Sequence, residues 1–246
     1  MSIATLILGE SGTGKSTSLR NLDPTKVSVY QCAKKPLPFK SKGWKDSVFS
    51  YDDLKIVHVP KLDKNNKPTG EKIEQILTPE QAITRFLLNS KKDILIIDDF
   101  QYLMSFEFMD TIGMDKSKGA SYDRFNNIGN NAFRILRLAS QLPDHKRVYI
   151  LNHVETDDFG KIRFKTIGKL LDKMIVPEGL FSLSMRTQID KDGYHFRTKN
   201  NGEDTVKTPM GMFEFELIDN DLKFVDEMIC DYYDIETTET TQPEGN

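Results

Sequence analysis

Residues 9 to 16 read Gly9-Glu10-Ser11-Gly12-Thr13-Gly14-Lys15-Ser16 and fit the spacing G-x-x-x-x-G-K-[ST]. Each residue type in that pattern has a physical job toward a polyphosphate. Glycines let backbone N–H groups curl around an anion with no Cβ in the way. Lys15 can reach the outer phosphates, and the Ser16 hydroxyl can ligate Mg²⁺. Thr17 opens a helix whose positive end faces the anion. Residues 9–17 are therefore expected to cradle a nucleoside triphosphate with its Mg²⁺.

Two further strand ends carry groups suited to the same chemistry. The run Asp93-Ile94-Leu95-Ile96-Ile97-Asp98-Asp99 is apolar and closes on two acids. A phosphate loop of this kind needs a carboxylate at such a place to hold Mg²⁺. Asp98 is expected in that role beside Ser16, and Asp99 is expected to orient the attacking water or to cap a helix. The next apolar run, 146–151, closes on Asn152-His153-Val154-Glu155. In P-loop proteins the matching strand end carries a polar sensor beside the terminal phosphate, so Asn152 or His153 could bond that phosphate or the water, and Glu155 is a further candidate base.

Elements must position these groups. Ile3-Ala4-Thr5-Leu6-Ile7-Leu8 is a short apolar run, read as a buried strand leading into the loop and as no secretory leader. A helix is expected over 17–22, stopped by Asp23-Pro24. Strands are expected at 27–32 and 55–59, separated by a stiff basic loop, Lys34-Lys35-Pro36-Leu37-Pro38-Phe39-Lys40. That loop is a candidate contact for a partner or DNA. Residues 63–71 read as an exposed polar turn region. Thr78-Pro79-Glu80-Gln81 opens a helix running to about Leu88, with a cap, then proline, then an acid. Helices are expected over 101–111 and 121–141, around a flexible segment at 113–119. Residues 155–165 read as a polar, basic stretch and 167–174 as a short helix. Strands at 181–189 and 194–199 join through Asp190-Lys191-Asp192-Gly193, whose Asp-Gly pair favours a hairpin. A last helix spans 220–233.

Strands alternating with helices argue for an α/β fold, a mostly parallel sheet covered by helices on both faces. The late hairpin adds antiparallel strands at one edge. One domain is expected over 1–234. An acidic tail at 235–246, rich in Thr and Glu, is expected to be disordered.

The bulk numbers set limits. The 246 residues are 38% hydrophobic and 29% charged, the balance of a globular protein, and no run is long enough for a membrane helix. A net charge of −3 gives no global pull on nucleic acid, so any such site must be a local basic patch. Cys32 and Cys230 stand outside any metal-ligand cluster, which implies two reduced cysteines in a cytoplasmic protein.

Together these pieces resemble the phage-encoded RecA-like P-loop ATPases of the single-strand annealing and recombination type. The resemblance spans residues 3 to 233. It rests on the Walker A loop, Ile97-Asp98-Asp99-Phe100, Asn152-His153, Lys165-Thr166-Ile167-Gly168-Lys169, and Lys207-Thr208-Pro209-Met210-Gly211-Met212-Phe213. It implies ATP and Mg²⁺ as ligands, and a homo-oligomer, ring or filament, acting on single-stranded DNA beside a single-strand-binding protein. One feature departs from the family. RecA proper places a catalytic glutamate after an early strand, where this chain has Gln31-Cys32-Ala33-Lys34 and no acid.

The resemblance also directs attention to loops after core strands. Lys161, Arg163, Lys165, Lys169 and Lys173 stand among Phe159 and Phe164, so bases could stack while cations meet phosphates. The segment 114–131, with Lys116, Lys118 and Arg124, is a second candidate. Arg197, Lys199 and Lys207 occupy the region where RecA-like proteins carry cations that reach a neighbour's nucleotide. Alternatives to a DNA-dependent ATPase are a nucleotide-gated DNA-binding or assembly module with little hydrolysis, and an AAA+-like replication motor.

Overall fold

A computed structural model of the chain describes residues 1–112, 120–167 and 175–236. In chain order its strands are β1 (Ile3–Leu8), β2 (Val27–Gln31), β3 (Val48–Ser50), β4 (Ile56–Leu62), β5 (Pro68–Ile76) and β6 (Ile94–Asp98). They continue with β7 (Arg147–Asn152), β8 (Val154–Thr156), β9 (Ile162–Phe164), β10 (Leu183–Asp190), β11 (Gly193–Arg197) and β12 (Leu217–Asp219). The α-helices are α1 (Tyr51–Leu54), α2 (Pro79–Asn89), α3 (Gln101–Thr111), α4 (Ala120–Ala139) and α5 (Leu222–Tyr232).

Eight strands form one sheet in the order β12-β11-β10-β1-β7-β6-β2-β3. From β10 to β3 neighbouring strands run parallel, and β11 and β12 add antiparallel pairs at one edge. Parallel strands need both faces covered, and the residues comply. Along β1, Leu6 and Leu8 enter one core with Ile83, Phe86, Leu103, Ile128 and Ile135 from α2, α3 and α4. Ile7 points the other way, into a second core with Leu19, Trp44, Val225 and Ile229. This is the expected α/β sheet of RecA-like type. β7 lies between β1 and β6, so the phosphate loop and Asp98 leave the same rim one strand apart.

Local chemistry explains the helix ends. α2 begins with a capping box in which Thr78 and Gln81 satisfy each other's backbone N–H groups, with Pro79 at the first turn. The helix after the phosphate loop departs from expectation: it is a 3₁₀ helix over Ser16–Asn21. Ser18 Oγ donates to the Lys15 carbonyl at 2.6 Å, drawing on a backbone acceptor of that turn. Leu22 is extended, and Asp23-Pro24 follows at once.

Two regions read as turn or polar coil contain strands instead, and two short strands fall where no element was expected. β5 begins inside the expected turn and pairs with β4 as a hairpin separate from the main sheet. The basic stretch 155–165 holds β8 and β9, another separate hairpin. β3 and β12 are three-residue edge strands. The expected flexible segment at 113–119, residues 168–174 of the helix expected over 167–174, and the tail from 237 onward lie outside the described residues. Among the described residues no helix is long and apolar enough to cross a membrane.

Candidate phosphate-binding cleft

The C-terminal ends of β1, β2, β6 and β7 open on one rim of the sheet, where ligands of open α/β sheets bind. The loop leaving β1 is held on both sides. Gly9 N–H donates to the Asn152 carbonyl at 3.2 Å, and Thr13 and Thr187 hydroxyls meet at 2.5 Å. A Cβ on Gly9 would lie 1.8 Å from Thr187 Oγ1, so only glycine fits. Gly14 has φ +99, and a Cβ there would meet Asn220 Oδ1 at 2.9 Å.

Lys15 is buried, and its Nζ donates to the carbonyls of Gly9 and Glu10 at 2.8 and 2.7 Å. Burial brings its pKa down to about 8, against the opposing pull of Asp99 and Asp98. Ser16 Oγ donates to both carboxylate oxygens of Asp98, each at 3.0 Å. Asp98 is buried, and that burial, with Asp99 beside it, pushes its pKa up to about 6. A hydroxyl and a carboxylate are hard oxygen donors, the kind Mg²⁺ takes. Among the described residues no cluster of three or more His, Cys, Asp or Glu forms a closed metal cage. Mg²⁺ takes one or two protein groups and fills its remaining positions with phosphate and water.

Asp99 follows with φ +57, a left-handed backbone that Asp tolerates better than most residues. It is 2% exposed yet forms part of the cleft wall. Its Oδ2 accepts from Lys35 Nζ, and its Oδ1 lies 3.5 Å from His153 Nε2. Burial would raise the Asp99 pKa, but His153 and Lys35 outweigh it and hold the carboxyl below its usual value. His153 is steadied by the Tyr102 ring, edge-on at 6.0 Å. The cleft encloses about 290 Å³ among Ser11, Gly12, Gly14, Lys15, Ser16 and Thr17 on one side, with Lys35, Pro36, Asp99, Tyr102 and His153 opposite.

Lys35 is the residue that sequence reasoning missed. The loop 34–40, a candidate contact for a partner or DNA, sets Lys35 and Pro36 in the wall of the cleft. Only the sheet order, which sets β2 beside β6, could have signalled this.

Other expected residues stand apart from the cleft. Asn152 is buried and spends its amide N–H groups on the carbonyls of His153 and Lys165. Glu155 sits on β8 opposite Arg163 and is no part of the cleft wall. Arg163 pairs with Asp157 at 3.1 Å, and Phe159 stands 96% exposed near the hairpin tip with Lys161. Phe164, expected to stack on bases, is buried against Phe100. Lys169 and Lys173, with Lys116 and Lys118, lie outside the described residues. Arg124 sits over the Phe108 ring at 6.0 Å. Arg197 forks onto Gln188 and Glu216, Lys199 donates to the Glu214 carbonyl at 2.7 Å, and the exposed Lys207 pairs its backbone with Ser184.

No family model and no curated protein sequence matches the chain. Among solved structures it is similar to one described as a prototypical ATPase from the type III secretion system of pathogenic bacteria, at 12% identity and a TM-score of 0.42. The alignment covers 76% of this chain and 51% of that one, so the chain spans about half the length of that protein.

Proposed function

We propose that this protein is a Mg²⁺-dependent ATPase of the P-loop class that acts on single-stranded DNA. One observation carries the ATPase reading: a single cleft gathers the glycine-bracketed loop, Lys15, Ser16 bonded to the buried Asp98 behind it, and Asp99 with His153. Hydrolysis adds water across the β–γ anhydride. The water oxygen bonds to the terminal phosphorus, the bridging P–O bond breaks, and its electron pair leaves on ADP. Asp99 would orient that water and receive its proton, with His153 beside its carboxylate. Lys15 would hold the outer phosphates, and Ser16 and Asp98 would hold Mg²⁺, which would supply charge neutralisation at the phosphate oxygens.

Adenine as the base follows from the family resemblance, as do the oligomer and the single-strand-binding protein. The β8–β9 hairpin is the DNA-facing candidate, because an exposed aromatic, Phe159, near Lys161 at its tip suits base stacking with phosphate contact. Arg197 and Lys199 would reach a neighbour's nucleotide only by leaving the present partners of their side chains, whereas Lys207 is exposed.

A steady-state phosphate-release assay tests the enzyme. Turnover that rises with single-stranded DNA and drops on the order of a hundredfold or more in Lys15→Ala supports it. A second reading, a nucleotide-gated module with little turnover, draws on the absence of an acid after β2. Tight ATP binding with no phosphate release would favour that module. In Phe159→Ala, DNA stimulation is expected to weaken while basal turnover stays.

A further inference from the structure

Asp99 has both carboxylate oxygens engaged, one by Lys35 and one near His153. A carboxylate accepts from water better when an ammonium does not share its lone pairs. The two partners differ in how firmly they are held. His153 is fixed by its neighbours: its carbonyl accepts from Lys165 N–H at 2.9 Å and from the Asn152 amide, and its ring rests on Tyr102. The Lys35 side chain is 46% exposed on a flexible four-carbon stem. Its loop cannot withdraw as a body, because Leu37 and Phe39 pack on the second core and Phe39 meets Trp44 edge-on at 5.4 Å. The side chain alone is free to exchange partners.

Lys35 also shares its cleft with the phosphate loop. A triphosphate there would compete with Asp99 for its ammonium group, since charge-assisted bonds to phosphate are strong. We infer, resting on the nucleotide reading above, that Lys35 is a terminal-phosphate sensor. It caps Asp99 until a nucleoside triphosphate binds, then transfers to the terminal phosphate and uncaps the carboxylate. A diphosphate lacks that phosphate and leaves Lys35 on Asp99.

The experiment is equilibrium binding of a non-hydrolysable ATP analogue and of ADP, each with Mg²⁺, to the full chain and its variants. Lys35→Ala and Lys35→Gln are expected to lose about tenfold in affinity for the triphosphate analogue and to keep ADP affinity within about twofold. Lys35→Arg is expected to restore part of the difference. In an Asp99→Asn background the loss from Lys35→Ala is expected to persist, because the contact is with phosphate and not merely relief of repulsion. Equal changes for both ligands, or none, would overturn the role of Lys35 and leave the nucleotide reading standing. If the wild-type chain binds neither ligand, the nucleotide reading falls and this inference with it. Should Lys35→Ala fold poorly, the Gln and Arg variants carry the comparison.

Discussion

Strand β7 carries a cluster of buried charge at each end, and the two are built differently. At its start Arg147 forks onto Asp226 with two bonds of 3.1 Å, and Tyr149 Oη donates to the same carboxylate at 2.6 Å. All three side chains are buried on a strand and a helix, and each charge meets its complement. At its end β7 delivers His153 toward Asp99, whose other oxygen is held by a lysine on a solvent-facing loop. Asp98 lies next to it with a pKa driven up to about 6. The closed cluster ties α5 to the sheet. The open one keeps charges in a cleft where a ligand can claim them. Buried charge alone does not mark a site; buried charge with a removable partner and a cavity does.

Substitutions can break or sharpen that contrast. The largest effect is expected at the closed cluster. Asp226→Ala strands a buried guanidinium and is expected to destabilise the fold by about 3–5 kcal/mol in urea unfolding, with turnover per folded molecule unchanged. Asp99→Asn is expected to do the reverse. Asparagine tolerates the left-handed backbone, so the melting temperature should hold, while turnover drops on the order of a hundredfold. Gly9→Ala drives a methyl into Thr187 and is expected to lower stability by about 1–3 kcal/mol and weaken nucleotide binding together, seen by melting and titration. The smallest effect concerns Cys32, which borders the open cluster. Burial, with Asp98 and Asp99 nearby, pushes its thiol well above the usual range. Alkylation at pH 8 is therefore expected to be at least about tenfold slower in the folded chain than in urea.

The legible parts of the sequence were those whose pattern is local. β1, β6 and β7 are continuous apolar runs, and burial on both faces explains why they lack alternation. The loop at 9–16 announces itself by glycine spacing, and α2 by its capping box. The hairpin of β4 and β5 was half legible because β5 is exposed along its whole length and has no buried face to write a period of two. Phe164 looked available among basic residues, but its place on β9 turns it onto Phe100. Ser18 is polar enough to suit a helix start, yet its hydroxyl bonds backward and the turn closes as 3₁₀. Lys35 was hidden for a topological reason. Nothing in Gln31-Cys32-Ala33-Lys34-Lys35 resembles a phosphate motif, and its chemistry appears only when β2 is laid beside β6.

The central claim is that the cleft beside Lys15 takes a magnesium-bound triphosphate. Equilibrium dialysis of labelled ATP against the folded chain, with and without Mg²⁺, addresses it directly. The account predicts saturable binding at one site per chain that needs Mg²⁺ and is lost in Lys15→Ala. Absence of binding to well-folded wild-type protein, or binding that Lys15→Ala leaves intact, would contradict it.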